Sequence, residues 1–216
     1  MKDEDQAIAM KLIETIEDVR EGARWLGDAV PEFSHALSLT GELPLRRRKD
    51  GFEALLDAIV SQQVSVAAGD AIWKRLKKAR LTGRRKIAAA SDEELRACGL
   101  SRQKIRYARA LAEAGINYRA LRSLSTDETV VILTEVPGIG RWTAEIYSMF
   151  SLGHADAFAA GDLALQESAR LLFAMNERPS ESVLRSMSNE WRPWRAVAAR
   201  ILWRYYHLMK ARSGVR

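Results

Sequence analysis

The stretch Leu133-Thr134-Glu135-Val136-Pro137-Gly138-Ile139-Gly140-Arg141-Trp142-Thr143-Ala144 constrains what this chain can fold into more than any other. An apolar helical end, then Pro-Gly-Ile-Gly, then a helical restart predict two helices joined by a hairpin with no room for side chains at its glycines. With Gly138 and Gly140 bare, the backbone N–H groups beside them are expected to point outward, at the positive end of a helix beginning near Arg141. A phosphate oxygen suits such a place. Pro-Gly-x-Gly alone is ordinary punctuation between helices and carries little weight by itself.

The rest of the chain reads as helical. Ala7, Ile8, Leu12, Ile16, Val19 and Ala23 predict an amphipathic helix over residues 5–27, ended or followed by Pro31. A short helix near 32–40 leads to Gly41, Pro44 and the basic run Arg46-Arg47-Arg48-Lys49, which fits a solvated linker as well as a phosphate contact. Phe52, Leu55, Leu56, Ile59 and Val60 mark one face of a helix that stops at Ser61-Gln62-Gln63-Val64-Ser65. The next, over roughly 66–79, carries Lys74, Arg75, Lys77 and Lys78 on its exposed side. Ser91 with Glu94 forms a capping box, and Gly99 ends that helix. Ser101 caps another that takes Lys104, Arg106, Tyr107 and Arg109 toward Gly115, its bases facing a phosphate backbone or water. Asp127 is the expected cap of the helix entering the hairpin. Leu163, Leu165, Ala169, Leu171 and Leu172 predict a helix, 176–180 a break, and Trp191-Arg192-Pro193-Trp194-Arg195 the opening of a last long helix to Lys210. No stretch alternates apolar with polar, so the expected class is all-α.

Composition narrows the chemistry. With 216 residues, 47% of them hydrophobic and 29% charged, the chain can bury a core in one compact unit or two lobes. Cys98 is the only cysteine, which excludes an intramolecular disulfide, a cysteine-built zinc site and a four-cysteine iron–sulfur cluster. No apolar run is long enough to span a bilayer, and the acidic start Met1-Lys2-Asp3-Glu4-Asp5 does not suit a signal or transit peptide. A cytoplasmic protein is expected, nucleoid-associated in a bacterium or nuclear in a eukaryote, and monomeric. Of the net charge of +6, residues 1–30 contribute −4, so the remaining chain carries +10 and favours a polyanionic partner.

Val136-Pro137-Gly138-Ile139-Gly140-Arg141-Trp142-Thr143-Ala144, followed by Asp156-Ala157-Phe158-Ala159-Ala160-Gly161-Asp162-Leu163-Ala164-Leu165-Gln166, closely resembles two segments of base-excision DNA glycosylases. These are the helix-hairpin-helix signature and the catalytic-aspartate loop, and within the superfamily the string is most similar to the 3-methyladenine DNA glycosylase II (AlkA-like) branch. The resemblance covers most of residues 44–210. It implies an all-α, two-lobed fold with a DNA-binding cleft, in which residues 1–49 and 150–216 form one lobe and residues 50–149 the other. It implies that Asp162 is the catalytic carboxylate, that Trp142 and Trp203 line the base pocket, and that Pro137, Gly138, Ile139, Gly140, Arg141 and Thr143 meet the DNA backbone. Gln62 and Gln63 fall in the segment that wedges into the duplex, Gln63 at the wedge position itself. A monovalent cation, Na+ or K+, is implied on the main-chain carbonyls of Thr134, Val136 and Ile139 as a structural ion. No other cofactor is expected. The partner is double-stranded DNA carrying damaged bases.

Each task of a glycosylase has a residue here to perform it. Extruding a base costs a few kcal/mol, less for a damaged one, and a side chain must fill the gap. An alkylated, positively charged base suits aromatic faces, and stacking is worth about 1–3 kcal/mol per base. Gly-Asp before an apolar helical run is, on residue type alone, a helix N-cap by about five to one. The two roles are compatible, because the positive end of a helix favours an anion and an anion is what stabilises positive charge developing on a sugar. Such a carboxylate also orients water. Superfamily members that cut the backbone through a Schiff base carry lysine two residues after the last hairpin glycine, where this chain has Trp142, so a monofunctional enzyme is expected. Ile146 and Arg204 stand where the branch often has tyrosine, which alters the pocket. Two rivals remain: a non-catalytic helix-hairpin-helix module, which would lack Asp162 and Trp203, and a glycosylase for deaminated bases such as hypoxanthine or uracil.

Overall fold

The computed structural model describes residues 11–212, and among these no β-strand occurs. Helices follow one another in the order α1 (Ile16–Ala29), α2 (Pro31–Thr40), α3 (Phe52–Ser61), α4 (Val66–Lys78), α5 (Arg84–Ala89), α6 (Asp92–Ala97), α7 (Arg102–Glu113), α8 (Tyr118–Leu121), α9 (Thr126–Thr134), α10 (Arg141–Tyr147), α11 (Leu163–Leu172), α12 (Glu181–Met187) and α13 (Arg195–Arg212). A π-helical turn spans Ser148–Leu152 and a 3-10 turn Ser188–Trp191. The chain divides into two units, one from the segments up to Arg47 and from Ser148 onward, the other Arg48–Tyr147. Arg48 and Lys49 thus go with the central unit, and Ser148 and Met149 with the other.

In the unit built from both ends, α13 is the centre. α1, α2 and α11 pack on it, burying Val19, Leu26, Phe33, Ala36, Leu165, Ala169, Val197, Ile201 and Leu202. Trp191 sits among Phe33, Phe158 and Phe173, with centroid separations of 5.1, 5.4 and 5.9 Å, an aromatic cluster that fixes the loop before α11. Trp194 is likewise core.

The first helix differs from the sequence expectation. α1 begins at Ile16 because Thr15 and Asp18 form a capping box. Leu12 pairs as an isolated bridge with His154, and the Ile13 amide donates to the Gly153 carbonyl at 2.7 Å, so residues 11–15 run as extended backbone. Residues 5–10 of the expected helix lie outside the described residues. Pro31 opens α2 rather than closing α1, since its ring suits a first helical position.

In the central unit α3 packs on α4, α7 and α10, α5 and α6 on α7, and α9 on α10. Leu55, Leu56, Ile59, Val60, Leu76, Ile105, Ala108, Leu111 and Leu133 form its core. Ser91 and Ser101 cap their helices as expected, and Gly99 ends α6 at φ +98°. The cap of α9 is Ser125, not Asp127: the Ser125 side chain accepts from the Glu128 amide and Glu128 reaches back to Ser125, leaving Asp127 in the first turn. The bases of α7 serve the fold more than expected. Lys104 Nζ donates to the Val60 carbonyl at 2.6 Å, and Arg109 to the Ala90 carbonyl and Asp92, both at 2.8 Å.

Candidate active site

In the unit centred on α13, Ala157, Phe158, Ala159 and Ala160 are buried, and the Asp162 amide turns back to the Ala159 carbonyl at 2.9 Å. This places Asp162 at the N-cap of α11 in extended backbone, its Oδ1 accepting from the amides of Ala164 at 2.9 Å and Leu165 at 3.1 Å. The side chain is half-buried. A third donor reaches the same oxygen, the indole Nε1–H of Trp203, at 3.3 Å. The carboxylate and the expected pocket tryptophan are therefore in direct contact.

Three features hold this pair in register. The buried Ser168 hydroxyl of α11 donates to the Leu202 carbonyl of α13 at 2.6 Å, next to Trp203. Asp156, at the start of the loop, accepts from Arg195 at 2.7 and 2.9 Å and from Arg192 at 2.8 Å, tying the loop to the beginning of α13. The π-helical turn brings Phe150 against Trp203, with ring centroids 5.8 Å apart and planes 30° from parallel. π-helical turns are frequent at functional sites. Sequence reading missed Phe150, which nothing in its neighbours distinguishes from core.

Beside Phe150 lies a buried cation. The Arg200 guanidinium is 5.0 Å from the Phe150 ring centroid and donates to the carbonyls of Ala196 at 2.7 Å and Leu45 at 3.0 Å. Burial, with Arg46 and Arg47 nearby, pushes its pKa down to about 10. Arg47 donates to the carbonyls of Phe150 and Ser151 at 3.3 and 3.0 Å. One member of the basic run 46–49 is therefore a brace for the π-helical turn rather than a linker residue. Arg204, on the tyrosine position of the branch, donates to the Thr40 carbonyl at 3.1 Å.

The central unit holds the hairpin. Val136 and Ile139 are buried and anchor it, and the Ile139 amide donates to the Val136 carbonyl at 3.0 Å. That amide is thus used inside the turn and does not point outward as expected. Gly138 has φ +94°, and a Cβ there would stand 2.3 Å from the Tyr107 ring, so glycine is required on both counts. Gly140 differs from the expectation: a Cβ there would meet nothing within 4 Å. Its bareness keeps open space at the mouth of α10, whose first intrahelical bond runs from the Ala144 amide to the Gly140 carbonyl at 3.0 Å. Pro137 and Arg141 are exposed, Thr143 is buried, and Arg141 Nε is held by Glu145 at 3.0 Å. Trp142 is 47% exposed on α10 and belongs to this unit, not to that of Trp203.

The two wedge candidates part company. Gln63 is exposed with φ +55°, a left-handed conformation that projects it from the α3–α4 turn. Gln62 turns inward, its Nε2 donating to the Gly138 carbonyl at 2.9 Å. It ties the α3–α4 turn to the hairpin. Gln62, Gln63, Tyr107, Thr134, Val136, Gly138, Ile139 and Thr143 line a hollow of about 630 Å³ in this unit. Tyr107, the platform under Gly138, was legible in sequence only as one residue of a basic helix.

The chain matches the HhH-GPD superfamily of base excision DNA repair proteins over residues 56–193. It is a member of that superfamily. It is 33% identical over 178 residues to DNA-3-methyladenine glycosylase 1 of Schizosaccharomyces pombe, covering 78% of each chain. Among solved structures it is similar to a DNA-3-methyladenine glycosidase from Bacillus halodurans, with a TM-score of 0.80, 29% identity and coverage of 89% of this chain and 91% of that one. A 3-methyladenine DNA glycosylase of S. pombe in complex with abasic DNA gives a TM-score of 0.73 at 30% identity, over 85% of this chain and 95% of that one. The chain is accordingly a helical N-glycosylase of base excision repair.

Proposed function

We propose that the protein removes alkylated bases, of the 3-methyladenine and 7-methylguanine type, from double-stranded DNA by hydrolysis of the N-glycosidic bond after base flipping. The observation that carries this reading is the contact between Asp162 and Trp203, a carboxylate and an aromatic face held together by an indole hydrogen bond of 3.3 Å. The aromatic face suits a base made cationic by methylation. The carboxylate suits the positive charge that develops on the sugar as the base leaves, and it orients the attacking water. The relatives named for 3-methyladenine support this substrate class.

The reaction stops at the abasic site. Trp142, two residues after Gly140, offers no amine for a Schiff base, and water is the nucleophile. The hairpin grips phosphate through the first turn of α10, and Gln63 occupies the space of the extruded base. The carbonyls of Thr134, Val136 and Ile139 belong to residues lining one hollow, and their hard oxygen donors fit Na+ or K+, which would stiffen the turn.

The test is release of 3-methyladenine or 7-methylguanine from alkylated duplex, with Asp162→Asn as control. Wild type is expected to release base and leave the strand uncut until alkali is added, with no borohydride-trapped adduct. If wild type and mutant bind alike and neither releases base, a non-catalytic DNA-binding module is the correct reading. Excision of hypoxanthine or uracil in preference to methylated bases would move the substrate class.

A further inference from the structure

Eight of the thirteen residues from Lys74 to Lys86 are lysine or arginine, and none is acidic. All eight are exposed, at the end of α4 and the start of α5 in the central unit. Helix electrostatics explains part of this. Arg75, Lys77 and Lys78 lie in the last turn of α4, where the macrodipole favours cations.

The remainder works against local structure. Arg84 and Arg85 open α5 at its positive end, with no acid in the first turn and no side-chain cap from Gly83. Arg80 closes α4 at φ +57°, a backbone conformation costly for any residue with a Cβ and natural to glycine. Lys74, Lys78, Arg80, Arg85 and Lys86 make no ion pair among the described residues. Two tethers hold the segment: Arg75 Nε on the Cys98 carbonyl at 2.8 Å and Arg84 Nε on the Ala112 carbonyl at 2.7 Å. Breaches of local rules without a folding return mark places where a ligand supplies the compensation.

A polyanion suits such a segment, and α4 sets its distance from the turn that bears Gln63. The helix starts at the turn that bears Gln63, and its thirteen residues carry the basic end about 20 Å away. That distance corresponds to about six base pairs of duplex. We infer that residues 74–86 form a second, sequence-independent contact on duplex DNA, holding phosphates that flank the lesion beyond those met at the hairpin. The inference rests on the DNA-glycosylase reading of the chain and adds a surface to it.

The test compares wild type with Arg80→Gly/Arg85→Glu/Lys86→Glu on duplexes of about 10 and about 30 base pairs carrying a central tetrahydrofuran abasic analogue. On the long duplex, affinity is expected to fall about tenfold or more, and the slope of log K against log salt to flatten by about two to three. On the short duplex, affinity stays within about twofold, and single-turnover release of 7-methylguanine from an alkylated duplex of the same short length is unchanged. The melting temperature rises, because the variant removes a strained conformation and reverses charge at a helix start. Equal loss on both lengths, no loss on either, or a lower melting temperature overturns the inference. Unchanged duplex binding with lost adsorption to phosphatidylserine vesicles overturns it in favour of a lipid surface. Were wild type to excise no base at all, the proposed reaction would fail while these binding measurements still reported on the surface.

Discussion

Asp162→Asn separates the two roles of this side chain. Asparagine caps helices as well as aspartate does, so its amide oxygen can keep the bonds from Ala164 and Leu165. What it loses is the charge at the α11 N-terminus, worth about 0.3–1 kcal/mol, and part of the Trp203 bond, so unfolding should become easier by about 1 kcal/mol. For a chain of this size that lowers the melting temperature by about 2–4 °C. The chemical cost is far larger. A unit charge about 4 Å from a developing cation in a medium of effective dielectric near 20 contributes roughly 4 kcal/mol, and its removal slows the step by about a thousandfold. Single-turnover release of 7-methylguanine, read beside a thermal melt and binding to an abasic-analogue duplex, gives all three quantities. A mutant rate above about a tenth of wild type would refute the electrostatic role. Binding lost in proportion to rate would show that Asp162 serves only the fold.

Three further outcomes follow from the geometry. Gly138→Ala places a Cβ 2.3 Å from the Tyr107 ring at φ +94°, so denaturant unfolding should show a loss of about 2–4 kcal/mol, and Tyr107→Ala in the same chain should recover only the packing part. Trp203→Phe keeps the face stacked on Phe150 but removes the donor to Asp162, and steady-state kinetics should show kcat down by about tenfold with KM little changed. His154 has its pKa pushed down to about 4 by burial and by Arg47. The unfolded chain takes up that proton near the ordinary value of 6.5 while the folded chain resists it, so stability is full above pH 6.5 and falls as pH drops toward 4. The loss is roughly 3 kcal/mol, and chemical denaturation of His154→Gln across the same window should lack it.

What the sequence discloses is what local rules govern. Ser91, Ser101 and Gly99 announce helix ends because a hydroxyl cap or a left-handed glycine acts within four residues of itself. Asp162 was legible for the same reason, and Gly138 too. Where two local signals compete, the nearer fit wins: Ser125 with Glu128 takes the cap that Asp127 also suits. Thr15 with Asp18 cuts short an apolar pattern that would otherwise continue back through Leu12. The residues that stayed hidden act across long separations. Phe150 meets Trp203, Gln62 meets Gly138 and Arg200 meets Leu45, and none of these partners is marked by spacing. Gly140 shows the converse error, since a glycine in a turn suggests tight backbone and here has open space.

The stability reading and the chemical reading of Asp162 do not compete once its bonds are counted by atom. A cap needs one acceptor, and serine, threonine, asparagine or aspartate would each provide it. The amides of Ala164 and Leu165 and the indole of Trp203 all converge on Oδ1, so a single oxygen satisfies the helix and the aromatic neighbour together. Residue type alone favours the cap by about five to one, yet three of the four cap residues carry no charge. Capping by itself therefore accounts for an oxygen at this position and makes no demand on its charge. Trp203 supplies what the cap does not require: an indole N–H donor on the carboxylate, from a ring whose orientation is set by its stack on Phe150, so that Trp203→Phe tests the donor separately from the ring.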